Sequence, residues 1–287
     1  MKPLTISLTK IGKEKGTSVG MKAFRLAELL KNGFLVPRAF VVTVEAFEIF
    51  LEKNNLVFLV ERLSVERDRS ILEKICRQLQ KKIKKGKLPS NLEKEILTKA
   101  KKVGISSFAV RSSATSEDLS FASFAGQFES CLNISSESLI DSVKDCWASL
   151  YEERVLSYTL FHQIPMHQIK MAVLIQEMVM AEKGGVMFTK DILRDNERVV
   201  IIEVVNGLGE RVVSGTEEPD RYIVEKIDLK TIGQKLKAAK PILSPEEIFE
   251  LAKMGLLIEN FYQSPQDIEW AIKGGKTYLL QSRPITT

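Results

Sequence analysis

Histidine is scarce in this chain: His162 and His167 are the only two among 287 residues, and they flank Ile164-Pro165-Met166 in what reads as a helix-to-strand connection. Cysteine is scarce too. Cys76, Cys131 and Cys146 are odd in number and form no Cys-x-x-Cys pair, so neither a disulfide scaffold nor a zinc site is indicated, and reduced, buried thiols are expected. No run approaches the roughly 20 apolar residues that span a bilayer. The start, Met1-Lys-Pro-Leu-Thr5, lacks the apolar core of a signal peptide, so the expectation is a cytoplasmic protein with no membrane partner. Aromatic residues do not interleave with the one dense basic run, Lys81-Lys-Ile-Lys-Lys-Gly-Lys87. Without such stacking platforms, and with a net charge of only +5, the run reads as a solvated helix end and no nucleic-acid partner is expected. Internal repeats and low-complexity segments are absent as well.

What remains is an ordinary globular composition, 44% apolar and 28% charged. The length lies near the limit at which single cores stop growing, which predicts two packed lobes. Helical spacing marks Met21 to Asn32, a stretch reaching Lys53, Glu66 to Lys84, and Leu92 to Lys102, the last announced by capping-box spacing at Ser90 and Glu93. A long helix is expected from Glu137 to Phe161, with Leu139, Val143, Trp147 and Leu150 on its apolar side. Ser244-Pro-Glu-Glu247 opens another, to about Tyr262. Strand candidates are Ala39–Thr43, Phe108–Ser112, Phe128–Ile134, Met171–Val179, Val186–Thr189, Val199–Val205 and Arg221–Val224. Strands and helices mix without regular βαβ alternation, so the fold class is α+β.

Asp267-Ile-Glu-Trp270, Gly274-Gly275 and Tyr278-Leu-Leu-Gln-Ser-Arg-Pro284 read as a hairpin, because apolar and polar residues alternate on both sides of a glycine pair. Asp267 and Glu269 share one strand face; Leu279, Gln281 and Arg283 share a face of the other. For Glu269 and Gln281 to meet on one ion, the turn must contain an odd number of residues. Lys273-Gly274-Gly275 is the natural loop, or a bulge restores parity. Hard carboxylate oxygens suit Mg2+ and a guanidinium fork suits phosphate. On its own the segment reads equally as a surface hairpin with solvated charges.

Phe108-Ala-Val-Arg111-Ser-Ser-Ala-Thr-Ser-Glu-Asp118, continuing through Ala122-Ser-Phe-Ala-Gly-Gln127, places an Arg at a strand end before a small-residue loop. On its own the stretch reads first as a polar loop whose hydroxyls bond their own backbone, with an anion cradle as the functional alternative. Gly20-Met-Lys22 sets a cation beside a helix N-terminus. Asn206-Gly-Leu-Gly-Glu210 lacks the Rossmann spacing and reads as a tight loop.

Taken in order, Val19-Gly-Met-Lys22, Val110-Arg-Ser-Ser-Ala-Thr-Ser-Glu-Asp118, Ser123-Phe-Ala-Gly-Gln127, Gln176-Glu-Met-Val179, Gly207-Leu-Gly-Glu210, Asp267-Ile-Glu-Trp270 and Gln281-Ser-Arg-Pro284 resemble one family. It is the N-terminal ATP-binding domain of phosphoenolpyruvate synthase and pyruvate phosphate dikinase, similar also to rifamycin phosphotransferase. The resemblance covers nearly the whole chain. It implies an ATP-grasp fold of two lobes, residues 1–178 and 179–287, with the nucleotide cleft between them. It implies further that ATP and Mg2+ bind, with Lys22 and Arg111 on the phosphates and Gly126 and Ser130 in the loop covering them. Gln176, Glu177 and Met178 would form the adenine hinge. Glu269 and Gln281 would hold Mg2+ with Asp267 nearby, and Arg283 would reach the terminal phosphates. Lys22, Arg111 and Arg283 would be the catalytic set.

Two departures are local: Met21 stands where Gly is usual, and the stretch from Lys226 to Leu243 is short. A third is larger. Such relatives pass phosphate through a histidine in a Gly-Gly-x-Thr-Ser-His type motif, which nothing here matches, and three residues after Pro284 leave no room for a carrier. The expected function is therefore transfer of phosphate from Mg-ATP to a histidine on a partner domain or subunit, with AMP released. Two other readings are a non-catalytic, ATP-responsive binding module and a kinase that phosphorylates a small molecule directly and releases ADP.

Overall fold

The computed structural model describes residues 3–12, 16–115, 118–119, 122–124 and 127–285. The chain divides into two compact units, Met1–Ala27 with Arg38–Met178, and Glu28–Pro37 with Val179–Thr287.

The first unit opens with β1 (Thr5–Ser7), α1 (Gly16–Val19) and the start of α2 (Met21–Lys31). It continues through β2 (Ala39–Val42), α3 (Val44–Lys53), α4 (Val57–Val65), α5 (Arg69–Lys85) and α6 (Ser90–Val103). Next come β3 (Phe108–Ala114), the short pair β4 (Asp118–Leu119) and β5 (Ala122–Ser123), β6 (Ser130–Ile134), α7 (Leu139–Ser149), α8 (Glu153–Phe161) and β7 (Met171–Glu177). Its five-stranded sheet runs β1-β2-β7-β3-β6, and every neighbouring pair is antiparallel. Phe108, Val110, Val173 and Ile175 join α7 in a core where Trp147 stacks on Phe47 at 4.9 Å.

Local signals set most boundaries. Asp68 Oδ1 accepts from the Ser70 and Ile71 amides and starts α5, while the lysines of its last turn are exposed around buried Ile83, as a solvated helix end should be. Four expectations need correction. Ser90 is the first helical residue of α6 and not its cap: Pro89 holds that position and no side chain caps the helix. The long helix expected to Phe161 is two helices, because Glu152 is extended (φ −70°, ψ 152°) and the chain turns there to bury Tyr151. The apolar positions Leu139, Val143, Trp147 and Leu150 are nonetheless all buried. Helix α4 was not anticipated, since its apolar residues 57–60 run together and show no clear helical period. Finally, Cys131 is only half-buried, unlike Cys76 and Cys146. His162 ends α8 and His167 lies in the 3-10 turn Met166–Gln168, both in the expected connection.

The second unit holds β8 (Lys183–Phe188), β9 (Val199–Asn206), α9 (Glu210–Val213), β10 (Asp220–Glu225), β11 (Thr231–Lys235), α10 (Pro245–Tyr262), β12 (Gln266–Lys273) and β13 (Lys276–Pro284). Its six-stranded antiparallel sheet runs β11-β10-β9-β8-β12-β13. The capping box at Ser244 and Glu247 is formed in full, with Pro245 opening α10. Gly255 lets α10 approach Met187, so the helix covers the sheet face of Tyr222, Ile202, Met187 and Ile268, which lie in one cross-strand row. Lys183 and Lys226 tie the helix down through Glu247 and Glu259. Strand β11 was unforeseen; none of its residues is buried, so it lacks the alternation by which strands are read. Within residues 206–210 the expected tight loop is residues 207–209, between β9 and α9. No helix among the described residues is long and apolar enough to cross a membrane.

Candidate functional site

In the first unit, Lys22 is fixed by a turn that only glycine permits. Gly20 has φ +73°, and a Cβ there would sit 2.0 Å from the Ser113 carbonyl oxygen. The chain thus touches β3 directly. Ser113 Oγ donates to Val19 O at 2.9 Å and accepts from the Ala23 amide at 3.1 Å, and Lys22 Nζ donates to Ser112 O at 3.0 Å. The lysine is therefore held against the strand that carries Arg111.

Register assembles the rest. Arg111 lies opposite Ser130 on one side and Leu174 on the other, and Ala109 lies opposite Gln176. Partners across antiparallel strands share a face, as do residues two apart along a strand, so Ser130, Arg111 and Gln176 occupy one side of the sheet. That side is opposite the core of Val110 and Val173. Gln176 is 2% exposed, and its Nε2 has no hydrogen-bond partner among the described residues. Leaving such a donor unmet costs about 1–3 kcal/mol, which marks it as a group awaiting an acceptor. Glu177 points to the other face, where Arg38 grips it through two hydrogen bonds of 3.0 Å and also donates to Val103 O. The amides of Glu177 and Met178 donate to Arg38 O and Ser107 O. Gly126 lies outside the described residues.

In the second unit the hairpin solves its parity problem by the less expected route. Lys273 pairs with Lys276, leaving the two-residue loop Gly274-Gly275, both at positive φ as a type I′ turn requires. That even loop alone would put Glu269 and Gln281 on opposite faces. A register shift between Glu269 and Trp270 corrects it: Trp270 pairs with Leu279, but Glu269 pairs with Gln281, so Leu280 is the extra residue of a bulge. Leu279 consequently leaves the face of Gln281 and Arg283, contrary to the simple alternation, and is buried with Trp270. Asp267, Glu269, Gln281 and Arg283 end on one face, opposite the side covered by α10.

Arg283 donates to Asp267 Oδ2 from Nε at 2.8 Å and from Nη2 at 2.6 Å. Burial pushes the Asp267 carboxyl above its ordinary range, against the lowering effect of Arg283, and neighbouring Glu269 raises it further. The cross-strand row Gln281, Glu269, Val186, Glu203 and Arg221 extends the same face. Burial also raises the Glu203 carboxyl, partly offset by Arg221. Sequence inspection passed over Glu203, although a single carboxylate inside an otherwise apolar strand is a readable signal. Arg38 carried no such signal, since its partner lies 139 positions away.

Among the described residues no three of His, Cys, Asp and Glu gather into a metal-binding group. The hairpin donors, one carboxylate facing one carboxamide, still suit Mg2+, which takes one or two protein oxygens and fills its octahedron with water and substrate oxygens.

The family pattern described as pyruvate phosphate dikinase, AMP/ATP-binding domain, matches residues 16–241 and 234–287. The chain belongs to this family. Among relatives, a probable phosphoenolpyruvate synthase of Archaeoglobus fulgidus is 39% identical over 315 residues, covering 98% of this chain and 41% of the relative. Rifampicin phosphotransferase of Bacillus cereus is 34% identical over 316 residues, covering 100% and 36% respectively. The chain thus spans about two fifths of the length of these relatives. Among solved structures, D-alanine–D-alanine ligase from Helicobacter pylori shares 15% identity over 62% of this chain and 42% of the ligase, with a TM-score of 0.30. At that score the likeness carries no weight. As a member of the dikinase family the chain is an α+β, AMP/ATP-binding type of domain.

Proposed function

We propose that the chain binds Mg-ATP on an ATP-grasp scaffold and passes a phosphoryl group to a histidine on a partner domain or subunit, with AMP released. The observation that carries this reading is the bulge at Leu280, which sets Asp267, Glu269, Gln281 and Arg283 on one face of the hairpin. Glu269 and Gln281 would hold Mg2+, whose chemistry there is to neutralise charge on the phosphates. Asp267 serves by orienting Arg283 more than as a ligand. In the first unit, Lys22 and Arg111 supply positive charge to the phosphates, Ser130 supplies a hydroxyl, and Gln176 offers its unmet amide to the nucleotide. Because the Glu177 and Met178 amides are already engaged, adenine would be read by the other groups of Gln176–Val179. Phosphoryl transfer asks a protein chiefly to position reactants and neutralise charge, and this set of residues does both. The longer chains of the relatives are consistent with an acceptor histidine held outside this segment.

Product analysis tests the proposal. The chain is incubated with Mg-ATP and a separately produced histidine carrier domain of a dikinase relative, and nucleotides and phosphohistidine are quantified. AMP with a phosphorylated carrier is expected. ADP with a phosphorylated small molecule would point to a direct kinase, and ATP binding with no turnover to a nucleotide-responsive module.

A further inference from the structure

Two of the three cysteines lie in one core, on the facing elements β6 and α7. Cys146, on α7, is fully buried, and its Sγ lies 3.7 Å from Val110 O and 3.8 Å from Glu129 O. Val110 is the cross-strand partner of Cys131, which puts the Cys131 side chain on the α7 side of the sheet. Cys131 packs against the same core that encloses Cys146. Cys131 is half-buried and Cys146 is enclosed, so one residue of the pair is partly open to solvent and the other is not. We propose that Cys131 and Cys146 are an oxidation site for hydroperoxides, forming a disulfide that ties β6 to α7.

The chemistry assigns the roles. The neighbouring Cys146 thiol holds the Cys131 thiol below its ordinary range, against burial, whereas the Cys131 thiol and burial push Cys146 up. The thiolate is the nucleophile in such reactions, and exposure governs access. Cys131 therefore reacts first: its sulfur attacks one peroxide oxygen, the O–O bond breaks, and the departing oxygen leaves as an alcohol or water after taking a proton. Cys131 is then a sulfenic acid. Cys146 sulfur attacks Cys131 sulfur, the S–O bond breaks, and hydroxide leaves with the Cys146 proton as water. Two thiols and one hydroperoxide thus give one disulfide, one alcohol or water from the peroxide, and one further water. Cys76, whose thiol burial pushes up to about 12, stays reduced.

Beyond the bond itself, the cross-link restrains the strand whose first residue is Ser130. It closes the segment from Cys131 to Cys146 in the unfolded chain, which raises stability unless native strain opposes it.

The test treats the full chain with equimolar hydrogen peroxide, alkylates remaining thiols in denaturant and maps the peptides. The expected result is one alkylated thiol, Cys76, and a Cys131–Cys146 disulfide that dithiothreitol reverses. Hydrogen exchange at residues 130–134 should slow in the oxidised protein and be unchanged by peroxide in Cys131→Ser and Cys146→Ser. An irreversible Cys131 sulfinate, a disulfide between chains, or oxidation of Cys76 ahead of Cys131 would each overturn the proposal. None of these readouts involves nucleotide, so they stand apart from the ATP assignment.

Discussion

Replacing Arg283 by Ala removes both hydrogen bonds to Asp267 Oδ2. The side chains of Arg283 and Asp267 are only 29% and 13% exposed, so a carboxylate is left nearly buried without its cation. Breaking a fully buried pair costs roughly 3–5 kcal/mol; the residual exposure here lowers that to about 2 kcal/mol near neutral pH. The pH dependence identifies the cause. Asp267 already has a raised pKa in the folded chain, and losing Arg283 raises it further. A carboxyl raised on folding binds more protons folded than unfolded, so its contribution to stability falls as pH rises from the unfolded to the folded value. The destabilisation by Arg283→Ala should accordingly be small where Asp267 is protonated in both proteins and grow to its full size as pH rises through the Asp267 titration. Urea denaturation of both proteins between about pH 4 and pH 7 measures this, and Asp267→Asn added to Arg283→Ala should restore most of the loss. An equal loss at both ends of the pH range, or no recovery in the double variant, refutes the reasoning. A further consequence concerns function: phosphoryl transfer by Arg283→Ala alone would confound a lost phosphate contact with a stranded Asp267, and only the double variant isolates the first.

Glu269→Gln keeps the side chain's size, and ATP binding measured by calorimetry should lose its Mg2+ dependence while urea denaturation still shows a folded chain. Gly20→Ala should destabilise the chain by more than about 2 kcal/mol, because the Cβ meets a backbone oxygen and the residue has positive φ; its ATP affinity should fall with it. Ser244→Ala breaks the capping box of α10 and should cost about 1 kcal/mol by denaturation, with ATP affinity unchanged.

The elements easiest to read carried two agreeing signals. Ser244-Pro-Glu-Glu247 gave both a cap and a first helical Pro, and α10 starts there. At Ser90 only spacing was present, and the structure uses the serine differently. Helix α7 ended earlier than its periodicity implied because burying Tyr151 is a tertiary demand that local pattern does not encode. The same distinction holds at the candidate site. Lys22, Arg111 and the hairpin residues stand in readable motifs, and the faces of Asp267 and Glu269 followed from alternation alone. Arg38 on Glu177 and the contact of Gly20 with Ser113 depend on partners far off in sequence. The face of Gln281 hinged on whether the loop was odd or a bulge was present, and both satisfied the same parity.

Leu280 is one residue more than the pairing of the hairpin requires. Exchanging Leu280 for another side chain leaves the count intact and so leaves Gln281 and Arg283 facing where they do. Deleting it, with the glycine loop kept, would leave Trp270 opposite Leu279 and Gln281 opposite Glu269 in an unbulged ladder, so both would keep their face. Substitution and deletion scans should therefore both score this position as tolerant, whereas deletion of Ser282 would bring Arg283 opposite Ile268 and turn it toward α10. The bulge thus absorbs a surplus residue without moving a ligand, and the count that matters lies between Gln281 and Arg283.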